Sequence, residues 1–321
     1  LDMVLNKQIF NEIVNDFMST KDKNGESLKM DYLTIIQDDV SFTHVFNNAQ
    51  EKVDLRSLCK PIIALTLGMA MEQGLSLMGE KLTLDTPVFP FIENLATLRN
   101  KNNSKMWQKV TLRHVLTHSI GFAEGLLFSK DIKDKDPSTF LDFIINHDII
   151  YEPGTHFVYS NVGPYLLSVI IQEQLGINLS EWVASTLFSK LDITDFEWKN
   201  YGKYCAGATG LLLKHEDFNK IGVLLLNKGK FHGHTIVPTK WVESMCTIQL
   251  LTPTMYDEKR VFPKYGYGFF VYICKNGNYY IDGTNGQYII VIPKNRILVT
   301  TMGHQPDMKP ITECLRILTS E

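Results

Sequence analysis

A chain of 321 residues is long enough for one large domain or for two lobes sharing a core. With 44% hydrophobic and 21% charged residues it has the composition of an ordinary soluble globular protein, and a net charge of −3 gives no basis for a nucleic-acid or anionic-membrane partner. No apolar run reaches the length of a membrane span.

In chain order, residues 3–18 place Val4, Leu5, Ile9, Phe10, Ile13, Val14 and Phe17 at helical spacing. Tyr32–Gln37 and Ser41–Phe46 flank Asp38-Asp39 and read as a hairpin. From Ile62 to Leu75 the residues are almost all apolar or small, which suits a helix buried on every side, running from about residue 56 to its stop at Gly74. Asp54 is placed to cap its first turn, and Pro61 requires the helix to start close to Ser57. Residues 80–100 read as a loop with a short turn of helix, punctuated by Pro87 and Pro90. Helices are expected over 110–121, 138–147, 161–175, 179–187, 214–228 and 238–248. Composition then shifts to β-branched and aromatic residues, giving strands over 265–273, 278–281, 288–292 and 296–301, and a closing helix over 309–318.

This order predicts an α/β fold with an antiparallel sheet, flanked by helices and built from both termini, into which an all-helical lobe is inserted. The α/β lobe would comprise about 1–80 and 255–321 and the helical lobe about 81–254, all within one domain. A cleft at the lobe junction is the expected small-molecule site.

Ser57 and Lys60 are one helical turn apart and share a face. A serine hydroxyl becomes a nucleophile when a base takes its proton, and a lysine whose pKa is lowered by burial can be that base. Taken alone the pair is more simply a capping serine and a surface lysine. Tyr159 and Asn161 lie two residues apart behind the Pro153-Gly154 turn. A phenolate near Lys60 would be stabilised, so the two groups would share a proton; the simpler alternative makes Asn161 a helix cap. Ile281–Gln287, with Asp282-Gly283-Thr284 within it, interrupts the strand cluster, either as a bulge or hairpin turn or as a point of close backbone or ligand approach. His118 reads as structural, and adjacent His215, Glu216 and Asp217 point different ways on a helix and do not form a metal site. The five cysteines are dispersed and read as buried free thiols, which favours a reducing, cytoplasmic setting. Because the sequence begins at Leu1, the alternative is export with a leader removed.

With these residues assembled, the chain resembles the serine β-lactamase and penicillin-binding-protein superfamily, most of all its class C β-lactamase, D-aminopeptidase and esterase branch. The resemblance runs through Ser57-Leu58-Cys59-Lys60, Thr111–His118, Pro153–Asn161, Ala206-Gly207 with Asp217, and Gly286–Pro293. It implies the β-lactamase/transpeptidase-like fold and an acyl-enzyme mechanism without metal or organic cofactor. Ser57 would be the acylated nucleophile, and Lys60 and Tyr159 would share general base and acid duty. Asn161 would orient Lys60 or a substrate amide, and the backbone N–H groups of Ser57 and of Thr284, after Gly283, would form the oxyanion hole. The chain departs from the family's usual Lys-Thr-Gly or His-x-Gly, presenting Ile281-Asp282-Gly283 instead. A cation is missing there and an acid stands nearby. That favours a small-molecule or peptide-like ester or amide over penicillins or D-Ala-D-Ala peptides. The expected activity is therefore serine hydrolysis of esterase, amidase or peptidase type. The alternatives are β-lactamase or D-peptidase activity, acyl transfer, and a penicillin-binding-like protein that binds without useful turnover.

Overall fold

The computed structural model describes residues 2–319. Helix α1 (Lys7–Ser19) turns Phe10, Ile13, Val14 and Phe17 inward. It starts later than its apolar spacing suggests, because Asn6 caps it by accepting the Ile9 N–H at 2.9 Å. Strands β1 (Met30–Gln37) and β2 (Val40–Val45) form the expected hairpin, with Asp38 at φ 49° in its turn.

The central sheet is antiparallel and eight-stranded. Its C-terminal members are β3 (Leu250–Leu251), β4 (Gly266–Tyr267), β5 (Tyr272–Ile273), β6 (Tyr279–Gly283), β7 (Gln287–Ile292) and β8 (Ile297–Gly303), in the order β3-β4-β5-β6-β7-β8-β1-β2. The two ends of the chain meet where β1 pairs with β8, Leu33 opposite Thr301 and Ile35 opposite Val299. The expected continuous strand over 265–273 is instead two short strands. Gly268 donates to the Val271 carbonyl at 2.8 Å, and Phe270 takes a positive φ in the turn between them.

Helix α2 (Cys59–Glu72) is buried along nearly its whole length. Gly68 lets the Trp241 indole lie against it, and that indole donates to the Ala64 carbonyl at 2.8 Å. The expected helix over 110–121 is shorter, α3 (Leu112–Leu116), because His118 leaves helical conformation at φ 51°. Helices α4 (Val162–Leu175), α5 (Leu179–Thr186), α6 (His215–Leu226) and α7 (Thr239–Met245) follow, and α8 (Lys309–Cys314) ends in a tighter turn over Arg316–Thr319. The segment expected to be all-helical carries strands as well. Lys52–Asp54, Leu211–Lys214 and Glu197–Trp198 make a separate three-stranded sheet, and β3 joins the central sheet from within the segment expected to be helical. Strands of two to four residues carry too little alternation to be seen in a sequence.

Candidate active site

The small sheet delivers the chain to Ser57. The Leu55 N–H donates to the Leu211 carbonyl at 2.9 Å. The Asp54 carboxylate accepts from the Arg56 N–H at 2.8 Å and the Gly210 N–H at 3.2 Å, so it fastens the turn before the helix instead of capping α2. Arg56 sits at φ 52°, a conformation that costs a non-glycine residue roughly 1 kcal/mol or more. A single 3-10 turn, Arg56–Leu58, then runs into α2. Ser57 falls on that turn and Lys60 in the first turn of α2, partly exposed and buried respectively.

Tyr159 and Asn161 come from the loop before α4. Ser160 fixes that loop: its hydroxyl accepts the Leu126 N–H at 3.0 Å, while the Asn161 N–H donates to the Leu126 carbonyl at 3.1 Å. The Val158 N–H binds the His118 carbonyl at 2.9 Å. Asn161 stands at the N-cap position of α4, yet its side chain makes no cap bond. Its amide donates to the Leu127 carbonyl at 3.1 Å and its Oδ1 lies 2.9 Å from Lys60 Nζ. Of the two roles open from sequence, the structure shows Asn161 bound to Lys60.

Four side chains therefore converge. Lys60 Nζ is 3.0 Å from Ser57 Oγ and 2.6 Å from the Tyr159 hydroxyl, which is itself 2.6 Å from Ser57 Oγ. Burial drives the Lys60 pKa down to about 7 and pushes the Tyr159 phenol above its ordinary value. Burial thus keeps Tyr159 a neutral phenol, not the phenolate that proximity to a lysine suggests, and makes the free amine of Lys60 accessible near neutral pH, because desolvation outweighs the attraction within the pair. In the neutral form the amine gives its two hydrogens to Asn161 Oδ1 and the Tyr159 oxygen, Tyr159 donates to Ser57 Oγ, and the Ser57 hydroxyl is left to donate to the amine's lone pair; in the ammonium form Lys60 donates to all three oxygens.

Gly283, at the end of β6, faces this turn. A Cβ there would lie 2.7 Å from the Leu55 carbonyl oxygen and 2.8 Å from Leu58 Cδ1, so the glycine marks a close backbone approach, and residues 284–286 form the hairpin turn to β7. Thr284 is exposed in the turn that follows. Among the described residues, neither the Ser57 nor the Thr284 backbone N–H finds an acceptor.

The rings of Phe128 and Tyr272 stack on Tyr159, each with its centroid 6.2 Å away. His118 is buried against Tyr159, Tyr267 and Phe270; burial holds its pKa well below the ordinary value, and its Nε2 has no partner among the described residues. The sequence reading missed Lys264. Strand β6 carries no cation, but Lys264 Nζ lies 3.2 Å from Asp282 Oδ2 and 4.3 Å above the Tyr272 ring. It stands between Pro263 and Tyr265, outside every motif, so nothing in the sequence marked it. A cavity of about 710 Å³ lined by Phe17, Asp31, His44 and His304 includes none of the four converging residues. No group of three or more potential metal ligands occurs among the described residues, and none of their helices is long and apolar enough to cross a membrane. All five cysteines are unpaired.

An antiparallel sheet flanked by helices, with Ser-x-x-Lys opening a buried helix and Tyr-x-Asn opposite it, is the arrangement of the penicillin-recognising serine proteins. The chain belongs to the beta-lactamase family, whose model matches residues 40–312. It is similar to penicillin-binding protein 4* of Bacillus subtilis strain 168, with 28% identity over 141 residues; the match covers 42% of this chain and only 28% of that protein. A penicillin binding protein from Bacillus halodurans shares the fold with TM-score 0.70 at 16% identity, covering 98% of this chain and 100% of that one. Unliganded simvastatin synthase, LovD, from Aspergillus terreus does so with TM-score 0.73 at 14% identity, covering 98% and 97%.

Proposed function

We propose that the protein is a serine hydrolase that works through an acyl-enzyme on a small ester or amide. The observation that carries this reading is a Ser57 hydroxyl bound at once by Tyr159 and by a buried Lys60 whose pKa is lowered to about 7. In acylation the Lys60 amine takes the Ser57 proton as Oγ attacks the carbonyl carbon. The oxyanion forms against the N–H groups of Ser57 and Thr284. The bond to the leaving group breaks as Tyr159 gives that group its phenolic proton, and Lys60, 2.6 Å away, restores the phenol. Water then attacks the Ser57 ester through the same groups. Asn161 keeps the amine oriented throughout.

Support for neutral substrates over carboxylate-bearing ones comes from Lys264. It brings a cation close to the site, but Asp282 already binds it. Penicillins and D-Ala-D-Ala peptides, which carry a carboxylate next to the scissile bond, are therefore the weaker fit.

The test is turnover of a panel of short-chain p-nitrophenyl esters and anilides, with a chromogenic cephalosporin alongside. The ester or amide signal is expected to dominate and to fall at least about 10³-fold in Ser57→Ala. Undiminished turnover in Ser57→Ala contradicts the proposal, as does a stable Ser57 adduct with no product release, the behaviour of a binding protein.

A further inference from the structure

Lys264 is only 8% exposed, and its backbone is pinned by Thr252, whose hydroxyl donates to the Lys264 carbonyl at 2.7 Å. Its side chain and that of Asp282 are 10% and 18% exposed. A shielded ion pair of this kind carries a large desolvation cost and is seldom retained for stability alone. Its position gives it another consequence. The ammonium lies on the face of Tyr272, whose ring stacks on that of Tyr159, and Asp282 lies on the strand that ends against the Ser57 turn.

The titratable and charged groups around Lys60 can be named. Cys59 belongs to its own helix, and burial holds that thiol protonated. Tyr159 comes from the loop before α4, and His118, kept neutral, from the segment after α3. Tyr267 and Tyr272 on β4 and β5 are phenols that burial keeps protonated. Asp282 on β6 is the carboxylate whose charge reaches Lys60. An uncompensated negative charge there would favour the ammonium form of Lys60, which cannot accept the Ser57 proton.

We propose that Lys264 is a positioning residue for the chemistry at Ser57: by pairing with Asp282 it offsets the carboxylate charge on the strand that ends against the Ser57 turn and so favours Lys60 as a free amine. Lys264 touches none of the reacting atoms and acts through Asp282. The inference rests on Lys60 as the base, but its consequence is measurable on Lys60 itself, without turnover.

The experiment is a pH titration of the Lys60 Cε resonance in protein labelled with 13C-lysine, assigned by its disappearance in Lys60→Met. It is paired with the pH profile of kcat/KM for a neutral ester. In Lys264→Met the Lys60 midpoint is expected to rise by about one pH unit. The acid limb of kcat/KM should move with it, leaving the high-pH plateau in place. Lys264→Met/Asp282→Asn should return both to the wild-type position, and Lys264→Arg should keep them there. A purely structural pair would lower the melting temperature and the plateau without moving the midpoint.

An unmoved midpoint in folded Lys264→Met overturns the inference, as does a midpoint that the second substitution fails to restore. Asp282→Asn alone decides the matter if Lys264→Met does not fold: a fall in its Lys60 midpoint, with the Lys264 charge left uncompensated, supports the proposal, and an unchanged or raised one contradicts it. Because the NMR titration reports Lys60 whether or not the protein turns over an ester, failure of this inference is separable from failure of the hydrolase reading.

Discussion

Lys60 is a buried amine that the fold has to accommodate. Its three partners, Asn161 Oδ1 and the Tyr159 and Ser57 hydroxyls, can be satisfied either by an ammonium donating to all three or by a neutral amine that donates two bonds and accepts one. The same burial that makes it a base makes it a liability for stability. Below pH 7 the native state carries the whole cost of a buried ammonium. Between about 7 and the ordinary lysine value of 10.5 the unfolded chain holds one more proton than the native one, so raising the pH through that window strengthens the fold. Lys60→Met lacks this dependence. The unfolding free energy of the wild type relative to Lys60→Met should therefore rise from pH 7 to pH 10 by roughly several kcal/mol. Urea titrations of both proteins check this, and a flat difference would mean that Lys60 is charged in the native state.

At the scale of elements, the site depends on three backbone pieces being brought together: the 3-10 turn before α2, the loop before α4 and the end of β6. Gly283 is where the first and third meet. Gly283→Ala puts a methyl against the Leu55 carbonyl and Leu58. It should cost roughly 1–3 kcal/mol and lower the Ser57 acylation rate at least about tenfold by displacing the turn. Thermal melts with stopped-flow acylation measure both, and unchanged acylation would separate β6 from the chemistry. Much of this was legible in the sequence. The Ser57/Lys60 spacing is one helical turn, and Tyr159 and Asn161 follow a Pro-Gly turn directly before an apolar helix. The sequence left open whether Asn161 caps α4 or binds Lys60, because both roles place it at the same position. Lys264 was invisible: it meets Asp282 only because the short strands β4 and β5 fold back between them, and two-residue strands leave no period to read.

The whole molecule ties the ends of the chain into one sheet, with β1 between β8 and β2. Helix α2 spans that arrangement: the turn that opens it abuts β6, and its middle is clasped by Trp241 on α7. Such interlocking predicts that the sheet and the inserted segment unfold together. The chain supplies separate reporters. All four tryptophans, Trp107, Trp182, Trp198 and Trp241, lie between the hairpin and β3, while Cys274 and Cys314 are buried in the C-terminal part. Tryptophan fluorescence and labelling of Cys274 and Cys314, with the labelled thiols distinguished from Cys59, Cys205 and Cys246 by peptide mapping, should give the same denaturant midpoint. Two separated midpoints would show that the site is assembled from independently stable parts.

The central claim is that a neutral Lys60 activates Ser57. Its most direct test is the rate at which Ser57 is acylated by an activated ester, followed by intact-protein mass spectrometry from pH 5 to pH 9, with the adduct located by peptide mapping. The account predicts one acyl group on Ser57, a rate that climbs through a midpoint near the Lys60 value of about 7, and a loss of about 10²-fold or more in both Lys60→Met and Tyr159→Phe. An adduct on another residue, or a Ser57 rate that is flat with pH and indifferent to Lys60, would contradict it.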